Sequence, residues 1–349
     1  MRVLFLYDDS EHAVPLLRAA EHFARMGIEF ASHETHSTES AMRLVDRTAV
    51  DVLLLHQPLV SDDAFCHGKP VAILERIDGA QLAASRRWLP SVNADGDPQP
   101  SAAAVIKGYT FRDGGNHNAR RGRYHAHLLD TAGIKAGRSE STSATQGLPN
   151  PQLSTADLRK IVPGYGFGAY AKMDVPRQQL LDYGSEREYD VHCVGYVDYN
   201  GSEIETHRNL AIDMVEAWGE ANPGKAIWGR GRCLRPAEYL RSMFAAKTVV
   251  SPWGWGEACH RDYEAWLLGA VLIKPSMGHV SCWPDVYRAE ETYIPCRMDF
   301  SDLPEIISRI RDEWPHWRER REAAREQAMH AGDPKRIAKR IADILASVI

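Results

Sequence analysis

The stretch from Thr248 to Pro275, TVVSPWGWGEACHRDYEAWLLGAVLIKP, restricts the fold of this chain more than any other. An apolar run, Thr248-Val249-Val250, ends in Ser251-Pro252, and a glycine turn, Trp253-Gly254-Trp255-Gly256, follows. A helical segment then carries Glu257, His260, Arg261 and Glu264; Gly269 closes it, and a second apolar run reaches from Ala270 to Ile273. Strand, glycine turn, helix and strand in that order make one unit of a parallel α/β sheet. Glycines at such a turn let the backbone approach a ligand, and the N–H groups of the helix start face an anion, commonly a phosphate.

Helical spacing divides the segment into two faces. Glu257, Arg261 and Glu264 fall at i, i+4 and i+7, with His260 beside them, and Cys259, Tyr263, Trp266 and Leu267 share the other side. The second set is apolar and is expected to pack on the sheet. The first either forms a solvated charged face with internal ion pairs or lines whatever lies beyond the glycine turn.

The quoted residues resemble the donor-binding signature of GT-B glycosyltransferases, in particular bacterial family 1 and exostosin-like enzymes. The matching parts are the turn Ser251-Pro252-Trp253-Gly254, the helix Arg261-Asp262-Tyr263-Glu264-Ala265 and the strand end Ile273-Lys274-Pro275. The likeness is local from Asp190 to Asp285 and only architectural before that. It implies a GT-B fold, two Rossmann-like doubly wound domains facing an interdomain cleft, and an enzyme that moves a sugar from a nucleotide-sugar donor to an acceptor hydroxyl. It also implies that Glu264 accepts the ribose hydroxyls and that Arg261 contacts the pyrophosphate. Six residues separate Glu257 and Glu264, one fewer than in many retaining members, so inversion and retention both stay open.

The remainder of the 349 residues agrees with two domains. With 44% hydrophobic and 26% charged residues, the composition is that of a globular protein. The longest apolar runs fall short of the roughly 20 residues a membrane helix needs. The start, MRVLFLYDDS, reads as a buried first strand rather than a secretory signal. A net charge of −5 argues against general nucleic-acid binding. The six cysteines include no C-x-x-C pair, so free thiols, a cytoplasmic location and no metal site are expected, with no cofactor beyond the nucleotide-sugar co-substrate.

Strand and helix signals alternate through the first half, with one helix expected from Glu11 to Met26, and the G-x-G-x-x-G fingerprint is missing after the first strand. The expected division is an acceptor domain over 1–170, a donor domain over 171–330, and a last helix over 331–349 that crosses back to the first domain. Asp333 at its N-cap and Pro334 in its first turn mark that helix. A Ser/Thr/Gly-rich loop is expected from Ala136 to Asp157, and a linker from Pro163 to Gly184.

In open parallel sheets, ligands bind beyond the C-terminal strand ends. Those ends offer Asp8 and Asp9, His56, Asp78 and Lys107 in the first half, and Gly195, Tyr196 and Arg208 in the second. An inverting transfer needs a base and a stabilised leaving diphosphate. Asp78 is the first candidate base and His56 the second; a strand-end Asp also serves as an ordinary turn residue, and His56 as a packed histidine. Arg208, Gly195, Gly254, Trp255, Gly256 and Glu257 join Arg261 and Glu264 as candidate donor-binding residues. From Lys107 to Arg138, seven Lys/Arg face two acids. That stretch is either a solvated loop or, through Lys107, Arg112, Arg123 and His125, an attraction for an anionic acceptor: a glycan, a lipid or, less in keeping with the charge, a nucleic acid. A non-catalytic module that binds a nucleotide or sugar in the same cleft is the alternative from another class, and an epimerising enzyme on the same architecture is a third.

Overall fold

The computed structural model describes residues 1–8, 13–56, 59–60, 62–65, 67–75, 88–90, 97, 99–112, 129–135, 153–166, 186–199, 202–231, 234–254 and 256–349. Strands β1 (Arg2–Tyr7), β2 (Glu29–Glu34), β3 (Val52–His56), β4 (Val71–Leu74) and β5 (Ala104–Lys107) belong to one sheet. After β5, β6 (Tyr109–Phe111) leaves that sheet, and β7 (Ile161–Pro163) completes it, in the order β2-β1-β3-β4-β5-β7 with every pairing parallel. Both faces are covered, which is why the strands read as unbroken apolar runs. Val3, Phe5, Val52 and Leu54 enter one core with the helices Val14–Arg18, Ala20–Arg25 and Pro334–Ala346. Leu4, Leu6, Leu53 and Leu55 enter the other with the helix Thr38–Arg47.

The second half repeats the plan. Strands β8 (Tyr189–Gly195), β9 (Ala226–Arg230), β10 (Ala246–Val250) and β11 (Val271–Pro275) join β13 (Tyr293–Cys296) in the parallel order β13-β11-β10-β8-β9, while β12 (Val280–Cys282) stands apart. In each half the second strand lies outside the first, and the third lies on the first's other side. The chain therefore reverses direction between β1 and β3 and again between β8 and β10, the places where such sheets open a ligand crevice. The helices Glu203–Ala221 and Leu303–Asp312 cover one face of the second sheet; His260–Leu267 and Arg318–Ala331 cover the other.

The two halves exchange parts. β6 pairs antiparallel with β12, so a strand from the first half lies on one from the second, with Tyr109 opposite Cys282 and Phe111 opposite Val280. Tyr109 and Phe111 are buried in the second core with Trp266 and Tyr287, and Trp283, just past β12, packs on the first core. The C-terminal edges of both sheets face one another. Tyr109, two residues beyond β5, touches Glu257, which lies beyond β10. A Cβ on Gly166, three residues beyond β7, would stand 2.9 Å from the Tyr263 hydroxyl.

Several expectations need correction. The helix expected over Glu11 to Met26 is two short helices, Val14–Arg18 and Ala20–Arg25, because Ala19 turns with ψ near zero and caps the first (residues 9–12 lie outside the described residues). The loop expected to Asp157 ends earlier, since Ser154 and Asp157 form a capping box that starts the helix Thr155–Arg159. The expected linker begins inside β7 and continues through buried Gly164, Tyr165 and Gly166; residues 167–185 lie outside the described residues. The last helix starts as expected, with the Asp333 side chain accepting from the Lys335 amide, and it packs on the helices of the first half.

Candidate active site

The glycine turn is held from beneath by a polar network. Asp262, fully buried in the first turn of the helix His260–Leu267, accepts from the Ser251 hydroxyl at 2.6 Å, the Tyr287 hydroxyl at 2.6 Å and the Cys259 amide at 3.0 Å. Lys274, equally buried at the end of β11, stands 3.3 Å from Asp262 and donates to the Ser251 carbonyl at 3.3 Å. The pair ties the ends of β10 and β11 to the helix start. Lys274→Met is expected to cost about 3 kcal/mol, because it leaves a buried carboxylate short of its countercharge. A loss under about 1 kcal/mol in chemical denaturation would overturn that.

The same network changes the expected role of the turn. The sequence places free amides of the turn and helix start toward an anion; the structure has them engaged. Gly254 N–H donates to the Gly256 carbonyl at 3.0 Å, Glu257 N–H to the Tyr109 hydroxyl at 3.1 Å, and Cys259 N–H to Asp262. The helix begins at His260 with Cys259 as N-cap, so Glu257 does not share a helical face with Arg261 and Glu264. Glu257 is 0% exposed and accepts from the Tyr109 hydroxyl at 2.7 Å.

What remains open to an anion is a pair of arginines at the switch point of the second sheet. Arg208, on the helix Glu203–Ala221, donates to the Trp253 carbonyl at 2.7 Å and the Tyr196 carbonyl at 2.6 Å, and its guanidinium lies 4.8 Å over the Tyr199 ring. Arg261 is tethered to the Pro252 carbonyl at 3.5 Å, and its Nε is buried with no hydrogen-bond partner among the described residues. Neither arginine forms an ion pair with a carboxylate among the described residues. Burial, and then the charge of Arg261, push the Arg208 guanidinium below its usual range, as two crowded like charges should. The glycines here are spatial requirements. A Cβ on Gly195 would stand 3.0 Å from Arg261 Nη2, and one on Gly254 would stand 3.1 Å from Arg208 Nη2.

Glu264 sits one helical turn beyond Arg261, half-buried, and burial lifts its carboxyl above the ordinary range against the pull of Arg261. Tyr239 interacts with both Arg261 and Glu264, and nothing in the sequence motif had singled it out. His192, in β8 behind Arg261, is held neutral: burial, with Arg261 next, drives it down to about 3.

On the facing edge, His56 closes β3 and Asp8 follows β1, the two strands that flank the first sheet's switch point. His56 Nδ1 lies 2.6 Å from Asp8 Oδ1. His56 is 0% exposed, whereas the Asp8 side chain is 22% exposed. The group that can meet an acceptor is therefore Asp8, with His56 behind it. Lys107, expected to help attract an anionic acceptor, is 2% exposed at the end of β5. Arg112 is exposed, 3.8 Å from the equally exposed Asp285, beside the β6–β12 ribbon. Asp9, Asp78, Arg123, His125 and Trp255 lie outside the described residues.

No family model and no curated protein matches the chain. Among solved structures it is similar to a glycosyltransferase from Rickettsia africae ESF-5, at 10% identity over 99% of this chain and 98% of that one, with a TM-score of 0.53. It is likewise similar to an alpha,alpha-trehalose-phosphate synthase (UDP-forming) from Burkholderia vietnamiensis, at 10% identity over 100% of both chains, with a TM-score of 0.50. At such identity the likeness is one of fold. The chain has the GT-B architecture of two Rossmann-like domains that its glycine turn and helix had implied.

Proposed function

We propose that the protein is a glycosyltransferase that takes a sugar from a nucleotide-sugar donor to an acceptor hydroxyl. The observation that carries this reading is the pair Arg208 and Arg261. Two guanidiniums converge at the switch point of the second sheet with glycines beside them, and neither has an ion pair with a carboxylate among the described residues, Glu264 being the acid that Arg261 influences. A diphosphate supplies the missing charge, and guanidiniums grip its oxygens as it departs. Glu264, one turn away, is placed to accept the ribose hydroxyls. Asp8 on the opposite edge takes the acceptor proton in an inverting transfer, and His56 orients it.

Nucleoside diphosphates and nucleotide sugars are expected to raise the melting temperature, because a ligand that binds only the native state stabilises it by mass action. A panel that leaves the melting temperature unchanged would sink the reading. Binding without release of nucleoside diphosphate on addition of acceptors would leave a non-catalytic binding module instead. Within the panel, Glu264→Ala is expected to weaken binding of the cognate nucleotide by about 2 kcal/mol, the scale of a hydrogen bond to a charged group. Calorimetry giving equal affinity for the folded variant would remove Glu264 from the site.

A further inference from the structure

We propose that Tyr109 is a positioning residue for the donor turn, acting on it from the opposite domain. Its clasp stands on geometry alone; its effect on donor binding rests on the transfer reading. The chain runs from β5 through Gly108 into β6, and so delivers Tyr109 into the core of the second half. There its ring stands edge-on to Phe111, with centroids 6.0 Å apart at 85°. Its hydroxyl donates to Glu257 Oε2 at 2.7 Å and accepts from the Glu257 amide at 3.1 Å. Only a group that both gives a proton and offers a lone pair can close this two-point clasp, and a phenol hydroxyl does both. His279 Nε2 lies 3.7 Å from the other carboxylate oxygen, and its ring stacks on Phe111, so the residues around Glu257 come from β6 and from beside β12.

The clasp matters because of what it fixes. The turn between β10 and the helix His260–Leu267 contains two glycines, and glycine has the most backbone freedom to lose. On one side the turn is closed by its own Gly254–Gly256 hydrogen bond and by the buried Asp262 network. On the other side Tyr109 holds Glu257, four residues ahead of Arg261. The direction in which the chain enters the helix, and so the placement of Arg261, depends on a residue that the acceptor half supplies. The donor turn takes its final form only when the two halves are docked.

The test uses the full chain. Tyr109→Phe keeps the buried ring and removes only the hydroxyl. The Glu257 amide is expected to exchange its hydrogen about tenfold faster in this variant, since the hydroxyl that accepts its hydrogen bond is gone. The Cys259 amide, bonded to Asp262 within the second half, is the internal reference and should keep its rate. Glu257→Gln retains an acceptor oxygen and is expected to preserve the protection. Unchanged exchange at Glu257 in Tyr109→Phe would overturn the proposal, as would equal loss in Glu257→Gln, which would place the effect in the charge. Calorimetry with uridine diphosphate and guanosine diphosphate supplies the second arm, with about tenfold weaker binding expected for Tyr109→Phe. If the unaltered protein binds neither nucleotide, the transfer reading fails, while the exchange measurement still decides the clasp.

Discussion

Arg261→Ala is expected to slow transfer by at least about a hundredfold, the cost of removing one group that stabilises charge in the transition state. Arg261 suits the experiment better than Arg208. Arg208 holds the Trp253 and Tyr196 carbonyls at 2.7 and 2.6 Å, so its removal also strips buried acceptors of their donor. Arg261 has a 3.5 Å contact to the Pro252 carbonyl and an interaction with Tyr239, and its Nε is already unpartnered among the described residues, so truncation leaves no buried carbonyl without a close donor. Arg261→Lys is expected to fall between the two, because an ammonium restores the charge without the fork that grips two oxygens. Wild-type rates for both variants would remove Arg261 from the leaving-group site. A loss confined to KM would assign it to binding shared equally by the ground state and the transition state.

Asp8→Asn is expected to lower transfer by about a hundredfold or more while nucleoside diphosphate affinity stays within about twofold. The substitution keeps the shape of the side chain and removes its capacity to take a proton. His56→Gln should cost less, since it acts through Asp8, and should lower the rate without removing the reaction. The pairing at 2.6 Å, the 22% exposure of Asp8 and the position of both residues at the first sheet's switch point motivate the assignment. An unchanged rate in folded Asp8→Asn would exclude Asp8 as the base and favour a retaining course, which needs no such group.

The parts of the fold legible in the sequence were those set by local pattern. The runs Val52-Leu53-Leu54-Leu55 and Val71-Ala72-Ile73-Leu74 are strands because both faces of a parallel sheet are covered. Gly269, at φ 72°, ends its helix as a glycine there should. The β6–β12 ribbon was not legible. Its strands are three residues each, with 168 residues between them, and short antiparallel pairs carry no periodic signal of their own. The helix Arg318–Ala331 was missed because it presents alanines and arginine stems to the core rather than a Leu/Ile stripe, with Ala324, Ala328 and Arg321 buried. At the site, the residue types of the motif were readable, but the fate of its amides was not. Whether Gly254, Glu257 and Cys259 offer their N–H groups outward depends on the Gly256 carbonyl, Tyr109 and Asp262, and Tyr109 lies in the other half of the chain. Tyr239 had no local mark, and Asp8 became the better candidate base only once His56 proved to be fully buried behind it.

The helix Pro334–Ala346 lays Ile337, Ile341 and Leu345 against Leu16 and Phe23 of the first half. The layer around Leu16 and Phe23 is thus finished by residues made more than three hundred positions later. While the chain emerges during synthesis, the five strands of the second parallel sheet can pair in sequence, and β12 can pair with a β6 already present. The first sheet meanwhile keeps one layer incomplete, with Leu16 and Phe23 lacking their partner. The order of completion therefore runs opposite to the order of synthesis, and the exposed Leu16–Phe23 face is where a nascent chain would most need protection from association.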